Sequence, residues 1–196
     1  MTMNFDTYTF SKRPGFIEPE MRRAFKQAVP LRTVVVFCYD PRAVNIPRAV
    51  AKALTGEVYP GEIVLDATGN KIASTTTIFP VIVAGGRAAD ALRSITVAQH
   101  LFGIENIVIV HHTYCGATTF TPEGIIDAFH KEHGQDISSL YERGNIAIED
   151  YESSLKRDTR LVRESKGTPG KVNIYGYLFN IDTDELTLVV QDRALC

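Results

Sequence analysis

Apolar positions along this chain change period several times, and each change predicts an element. "FIEPEMRRAFKQAV", Phe16 to Val29, has helical spacing and is closed by Pro30. "RTVVVFC" is a near-continuous β-branched run, the pattern of a central strand covered on both faces. "PRAVAKALTG", Pro47 to Gly56, reads as a short helix with Pro in its first turn and Gly after its end. Two β-prone runs around "ATGN", within Gly61 to Pro80, predict a hairpin excursion. "VIVA", Val81 to Ala84, is a short strand. After Gly85-Gly86, residues Ala91, Ile95, Ala98 and Phe102 recur at helical spacing, widened by Leu92 and Leu101, until Gly103. "NIVIV", Asn106 to Val110, is the next buried strand. A charged helix is expected from about Ile148 to Glu164. "VNIYGYLFNI" and "ELTLVV" around "DTD" then form a hairpin and an antiparallel edge.

Strand, helix and strand in succession predict an α/β fold. Its central sheet has a parallel core, right-handed crossovers and antiparallel edge strands, with helices on the flanks. Tyr175 and Tyr177, alternating about Gly176, read as packing residues. With no internal repeat and no low-complexity linker, the expected organisation is a single domain over residues 1–196. Within it, residues 1–14 form an arm that must dock to be ordered.

Composition narrows the function classes. A 196-residue chain with 44% hydrophobic and 22% charged residues can bury a core without disulfides or a structural metal. Its net charge of -2 offers no basic field for a phosphate backbone, so nucleic acid binding is not expected. "MTMNFDTYTF" lacks a charged leader, and no run reaches the ~20 apolar residues of a spanning helix. A soluble, cytoplasmic protein follows as the expectation. Cys38, Cys115 and Cys196 are odd in number and widely spaced, which fits free thiols or ligands better than a disulfide framework.

The chemistry gathers after two strands. "HHTYCGATTF" follows "NIVIV" directly, and Cys38 also stands at the end of a strand, where open α/β sheets place their sites. Cys38, His112 and Cys115 together make a donor set of two thiolates and one imidazole, an arrangement suited to catalytic zinc with one corner open to water. Two thiolates neutralise the ion's formal charge, so the site should acidify its water less than three imidazoles would. Asp40 and Arg42 follow Cys38 at period two, so strand alternation would put all three on one face. Asp40 can then orient the nucleophile, and Arg42 can hold that carboxylate off the metal.

Competing readings stand beside these. Cys38 alone would be a buried thiol acting as a small hydrophobe. His111 is ambiguous with its neighbour, although the three-residue spacing to Cys115 favours His112. Gly85-Gly86 reads either as a tight turn or as an anion cradle. His100, His130 and His133 read as surface groups, and Cys196 as an unpaired exposed thiol. A fourth ligand from Asp40 or Cys196 would close the zinc and leave it inert.

The elements Cys38-x-Asp40-x-Arg42 and His112-x-x-Cys115-Gly116 resemble those of the β-carbonic anhydrase family, in its shorter microbial form. The resemblance covers roughly residues 30–190. It implies one Zn(2+) per subunit, a homodimer or homotetramer with sites at subunit interfaces, and residues 1–30 as an arm and helix for dimer contacts. It also implies reversible hydration of carbon dioxide to bicarbonate by a metal-bound hydroxide. One departure stands out: where the family carries Arg-Asn-Ala-Gly, this chain reads "VIVAGGRAAD", with Val83 in the arginine's place. The segment from Asp40 to Val83 also looks longer than usual. A more apolar wall admits a second substrate reading, hydrolysis of carbonyl sulfide or carbon disulfide with release of sulfide. A third reading is a non-catalytic zinc or thiol binding protein.

Overall fold

A computed structural model describes residues 4–194. Five strands form the main sheet: β1 (Thr33–Cys38), β4 (Ile78–Val83), β5 (Asn106–His112), β6 (Asn173–Phe179) and β7 (Leu186–Asp192). Their order is β4–β1–β5–β6–β7; the first three pairings are parallel and β7 returns antiparallel on β6. This is the α/β sheet with a parallel core and an antiparallel edge that the alternating elements predict. The excursion between β1 and β4 is a separate two-stranded hairpin of β2 (Ile63–Leu65) and β3 (Lys71–Ser74).

Among the described residues five α-helices accompany the strands: α1 (Glu18–Ala28), α2 (Ile46–Ala53), α3 (Leu92–Phe102), α4 (Pro122–His133) and α5 (Tyr151–Glu164). On one face of the sheet, Val34, Val36, Ile107 and Ile109 pack with Ile95 and Phe102 of α3 and Leu155 and Val162 of α5. On the other, Val35, Phe37, Val108 and Val110 meet Ile46 and Val50 of α2, together with Tyr177 and Phe179. Burial on both sides explains why β1 and β5 read as unbroken apolar runs. Tyr177 and the half-buried Tyr175 are packing residues, as expected.

Several boundaries move for identifiable reasons. The strand expected at Val81–Ala84 begins at Ile78 and runs through Pro80. A proline is tolerated there because β4 is an edge strand, so its missing N–H leaves no ladder bond unmade. The helix expected from Ile148 starts at Tyr151, where Asp150 accepts a hydrogen bond from the Ser153 amide at 2.7 Å. Helix α4 adds to the expected elements; Thr121 caps it through the Gly124 amide, Pro122 opens it and Gly134 ends it at φ 65°. In the arm, two short 3-10 turns run from Phe5 to Tyr8 and from Phe10 to Lys12. The Phe10 ring stacks edge-on against Phe25 of α1, which in turn packs on Phe102.

Candidate metal centre

Cys38 is the last residue of β1 and His112 the last of β5, so both side chains lie at the carboxyl-terminal edge of the parallel sheet. Cys115 follows Tyr114, whose backbone adopts the left-handed conformation at φ 55° and turns the chain back over the strand ends. The donor atoms of Cys38, His112 and Cys115 all lie within 4.8 Å of one another, and all three residues are buried. The two sulfurs are 3.9 Å apart, a reduced pair well beyond the ~2.05 Å of a disulfide.

The residues fit a zinc ion. Tetrahedral zinc with Zn–S bonds of ~2.3 Å spans about 3.8 Å between its sulfurs, close to the separation found. His112 Nδ1 donates to the carbonyl of Thr113 at 2.9 Å, which places the lone pair on Nε2. That Nε2 is buried and has no hydrogen-bond partner, the state of a donor atom waiting for a metal.

Cys115 Sγ donates a hydrogen bond to Cys38 Sγ. The hydrogen bond from Cys115 brings the Cys38 thiol down to about 4 against the opposing effect of burial, with smaller help from His112. The same contact, together with burial, pushes the Cys115 thiol up. Burial alone would lower His112, but Cys38, the Thr113 carbonyl and the Asp40 charge outweigh it and raise the imidazole.

The alternation expected for Cys38, Asp40 and Arg42 is not what joins them. The strand ends at Cys38, and Asp40 instead caps a 3-10 turn, Pro41–Ala43, by accepting from the Arg42 amide at 2.9 Å. Arg42 then folds back and grips the carboxylate with two side-chain nitrogens, at 3.0 and 2.7 Å. The hydrogen bonds from Arg42 hold the Asp40 carboxyl down at about 2. Arg42 Nη2 also donates to the carbonyl of Tyr114 at 3.1 Å, tying the Asp40 turn to the Cys115 loop. Asp40 Oδ2 lies 3.9 Å from His112 Nε2, beside the donor set but outside it.

His111 goes elsewhere. Alternation sends it to the α5 face, where its Nε2 sits 3.0 Å from Ser154 Oγ, and burial pushes it down to about 4, so it is neutral. His100 sits at the surface 3.2 Å from Glu18, and His130 and His133 are exposed on α4. Cys196 lies outside the described residues. Gly85 and Gly86 adopt φ 61° and 67°. A Cβ on Gly86 would stand 2.6 Å from the Val110 carbonyl and 3.1 Å from Phe37 Cα, so the pair is explained as a turn pressed onto the strand ends.

A cavity of about 870 Å³ opens beside Cys38 and Asp40. Ala84, Ala117, Phe120, Leu140 and Ile146 give it apolar walls, and its charged lining groups are Asp40, Asp90, Glu142 and Arg87. Val83 pairs with Cys38 in the sheet register, so the departure from the family's arginine lies directly beside a ligand. Arg87 on this lining forms a buried pair with Asp158 that sequence reasoning missed; 71 positions apart, they carry no local signal.

No family model matches the chain. Among curated proteins, β-carbonic anhydrase 1 of Mycobacterium tuberculosis is 30% identical over 100 residues, 51% of this chain and 59% of that protein. The chain is related to the β-carbonic anhydrases. A carbon disulfide hydrolase of Acidithiobacillus thiooxidans is 27% identical over 119 residues, 53% of this chain and 59% of that protein. The aligned part thus spans about three fifths of each relative's length. The β-carbonic anhydrase fold extends over nearly the whole chain: a carbonic anhydrase from Streptococcus mutans superposes with a TM-score of 0.62 at 22% identity. That match covers 97% of this chain and 100% of the other. An apo carbon disulfide hydrolase superposes with a TM-score of 0.60 at 20% identity, covering 89% and 90%. Among the described residues, no helix is long and apolar enough to cross a membrane.

Proposed function

We propose that this protein is a zinc enzyme that adds water to a small linear electrophile, carbon dioxide in the first reading. The observation that carries the reading is the buried trio of Cys38, His112 and Cys115, with an orphaned His112 Nε2 facing two sulfurs at the edge of a cavity. Cys38 and Cys115 as thiolates and His112 through Nε2 would hold zinc. Zinc in such a set supplies Lewis acidity that makes water nucleophilic near neutral pH.

The chain's own groups do the rest. Asp40, held as a carboxylate by Arg42, offers Oδ2 to accept a hydrogen bond from the incoming water and so directs its lone pair toward the substrate carbon. Arg42 engages both carboxylate oxygens and keeps Asp40 from becoming a fourth ligand, which would close the site. The apolar walls admit an uncharged linear molecule and hold it free of competing hydrogen bonds. The name of the mycobacterial relative supports carbon dioxide as substrate.

A second reading, hydrolysis of carbonyl sulfide to carbon dioxide and hydrogen sulfide, is favoured by the charge around the cavity. Three of its four charged lining groups are carboxylates, and the fourth, Arg87, has all three guanidinium nitrogens engaged by Asp158, Gly144 and Ala147. Such a wall disfavours an anionic product and tolerates a neutral one. The carbon disulfide hydrolase relative supports the same direction. For assembly, helix α1 buries none of its residues and Phe5 and Tyr8 are about 70% exposed, which supports a homodimer built through this arm.

The deciding experiment loads the purified chain with zinc and assays both gases side by side. Fast proton release from carbon dioxide supports the first reading, and sulfide release with weak carbon dioxide turnover the second. Silence on both gases, with zinc bound, would leave a binding protein. Cys38→Ser, His112→Ala and Cys115→Ser should each lose zinc and both activities.

A further inference from the structure

Arg87 is 2% exposed and Asp158 fully buried, and neither belongs to the donor set. The guanidinium meets the carboxylate through two parallel bonds, Nε to Oδ2 at 2.9 Å and Nη2 to Oδ1 at 3.0 Å. Its remaining reach goes to the carbonyls of Ala147 and Gly144, the latter at 2.9 Å. The Ala88 amide adds a bond to Asp158 at 3.2 Å. One ion pair thus joins the Gly85–Gly86 turn to the loop over residues 144–147 and to helix α5, which follows that loop.

Each of these segments reaches the donor set, α5 through Tyr151, which packs on the cluster of Cys38, Cys115 and Ile148. The Gly85–Gly86 turn presses on the ends of β1 and β5, with the Gly86 Cβ position 3.2 Å from the Cys38 nitrogen. Ile148, directly after Ala147, donates its amide to the Ala117 carbonyl at 2.9 Å. It also packs against both Cys38 and Cys115. The Gly85 Cβ position lies 3.0 Å from Ala117 Cβ and 3.5 Å from Ile148 Cδ1, so the turn beside one thiolate leans on the loop that carries the other.

We propose that Arg87 and Asp158 are positioning residues for the metal centre: their buried fork sets the distance between the Cys38 and Cys115 sulfurs and fixes the cavity wall behind them. A planar guanidinium suits this task, since its geometry is fixed while several carbonyls and a carboxylate are held at once. The inference rests on the zinc reading for its metal-based readout only.

Removing one partner leaves a buried charge alone and destabilises the fold, so the test is carried by the double replacement Arg87→Met with Asp158→Asn, which holds each side-chain volume close to the original and removes both charges. Zinc affinity is measured by competition with a chromophoric chelator, and the thiolate-to-metal band of the cobalt-substituted protein reports the ligand geometry. In the metal-stripped protein, alkylation of Cys38 and Cys115 by iodoacetamide is followed peptide by peptide by mass spectrometry. The double variant should melt within a few degrees of the unaltered protein, yet bind zinc ~10–100-fold more weakly, shift the cobalt band and alkylate about tenfold faster.

Unchanged affinity, band and alkylation rates would overturn the proposal, whatever happens to the melting temperature. If the unaltered protein takes up no metal, the zinc reading falls by itself, and the alkylation rates still decide the positioning role. Should the double variant fail to fold, Arg87→Lys, which keeps both charges and loses the two-pronged grip, is judged by the same measurements.

Discussion

Arg42 holds Asp40 by both oxygens, Nε to Oδ1 at 3.0 Å and Nη2 to Oδ2 at 2.7 Å, while Oδ2 remains 3.9 Å from His112 Nε2. In the proposed reading the carboxylate is close enough to act on a molecule held at zinc, and Arg42 restrains it from joining the donor set. Asp40→Asn should therefore keep zinc and lose roughly 10²–10⁴-fold in turnover. Arg42→Ala should lose activity while binding zinc at least as tightly, because the released carboxylate can complete the tetrahedron. Metal content and stopped-flow rates on the same samples check both; full activity in Asp40→Asn would remove Asp40 from the mechanism, and full activity in Arg42→Ala would remove the restraint assigned to Arg42.

Val83 is the residue in register with Cys38, so its side chain leaves the same face of the sheet at the same height. Val83 packs on the core and is followed by the cavity-lining Ala84, so Val83→Arg sets a cation in register with Cys38 at the cavity's border. Bicarbonate dehydration should rise relative to carbonyl sulfide hydrolysis by about tenfold, the worth of ~1.4 kcal/mol. Competing the two substrates in one assay reads the ratio; an unchanged ratio means this wall does not set specificity.

Gly86 has no room for a methyl group, with the Val110 carbonyl 2.6 Å from the position of its Cβ and φ at 67°. Gly86→Ala should cost about 2 kcal/mol or more and weaken zinc binding with it, since the turn would lift off Cys38. Gly69→Ala supplies the control: its φ is 87°, but nothing lies within 4 Å of its Cβ position, so the loss should be smaller and zinc unaffected. Urea titration with and without zinc distinguishes the two sites.

Tyr177 is buried against Val35, Val108 and Phe179, and burial followed by the neighbouring Tyr175 raises its phenol above the ordinary value of 10.0. Above that value the unfolded chain loses a proton that the folded one keeps. Its contribution to stability is therefore complete below pH 10.0 and is lost as pH rises through the folded value. Tyr177→Phe should leave stability at pH 8 nearly unchanged and flatten its decline between pH 9 and 11. Denaturant midpoints across that range check the slope; parallel curves for the two proteins would contradict it.

Much of the fold is readable in the chain because its signals are local. The β-branched runs of β1 and β5 identify buried parallel strands, and the three-residue step from His112 to Cys115 brings two donors together within a single turn. Other features depend on distant partners. Pro80 looked like a boundary because only the sheet order reveals β4 as an edge. Asp40 and Arg42 looked like strand residues because alternation continues in sequence after the ladder has ended at Cys38.

The sequence by itself determined the donor chemistry: two thiols, an imidazole and a carboxylate with its arginine, at spacings that a strand end and a turn can gather. Tertiary structure decided which atoms meet. The register pairing Phe37 with Val110 sets His111 level with Cys38, but its ring meets Ser154 of α5, and His112 completes the trio across the strand ends. It also brought Arg87 and Asp158 together as a buried ion pair. Short spacings are enforced by covalent geometry, whereas contacts across 71 or 77 positions exist only once the sheet has fixed its order and the helices have buried its faces.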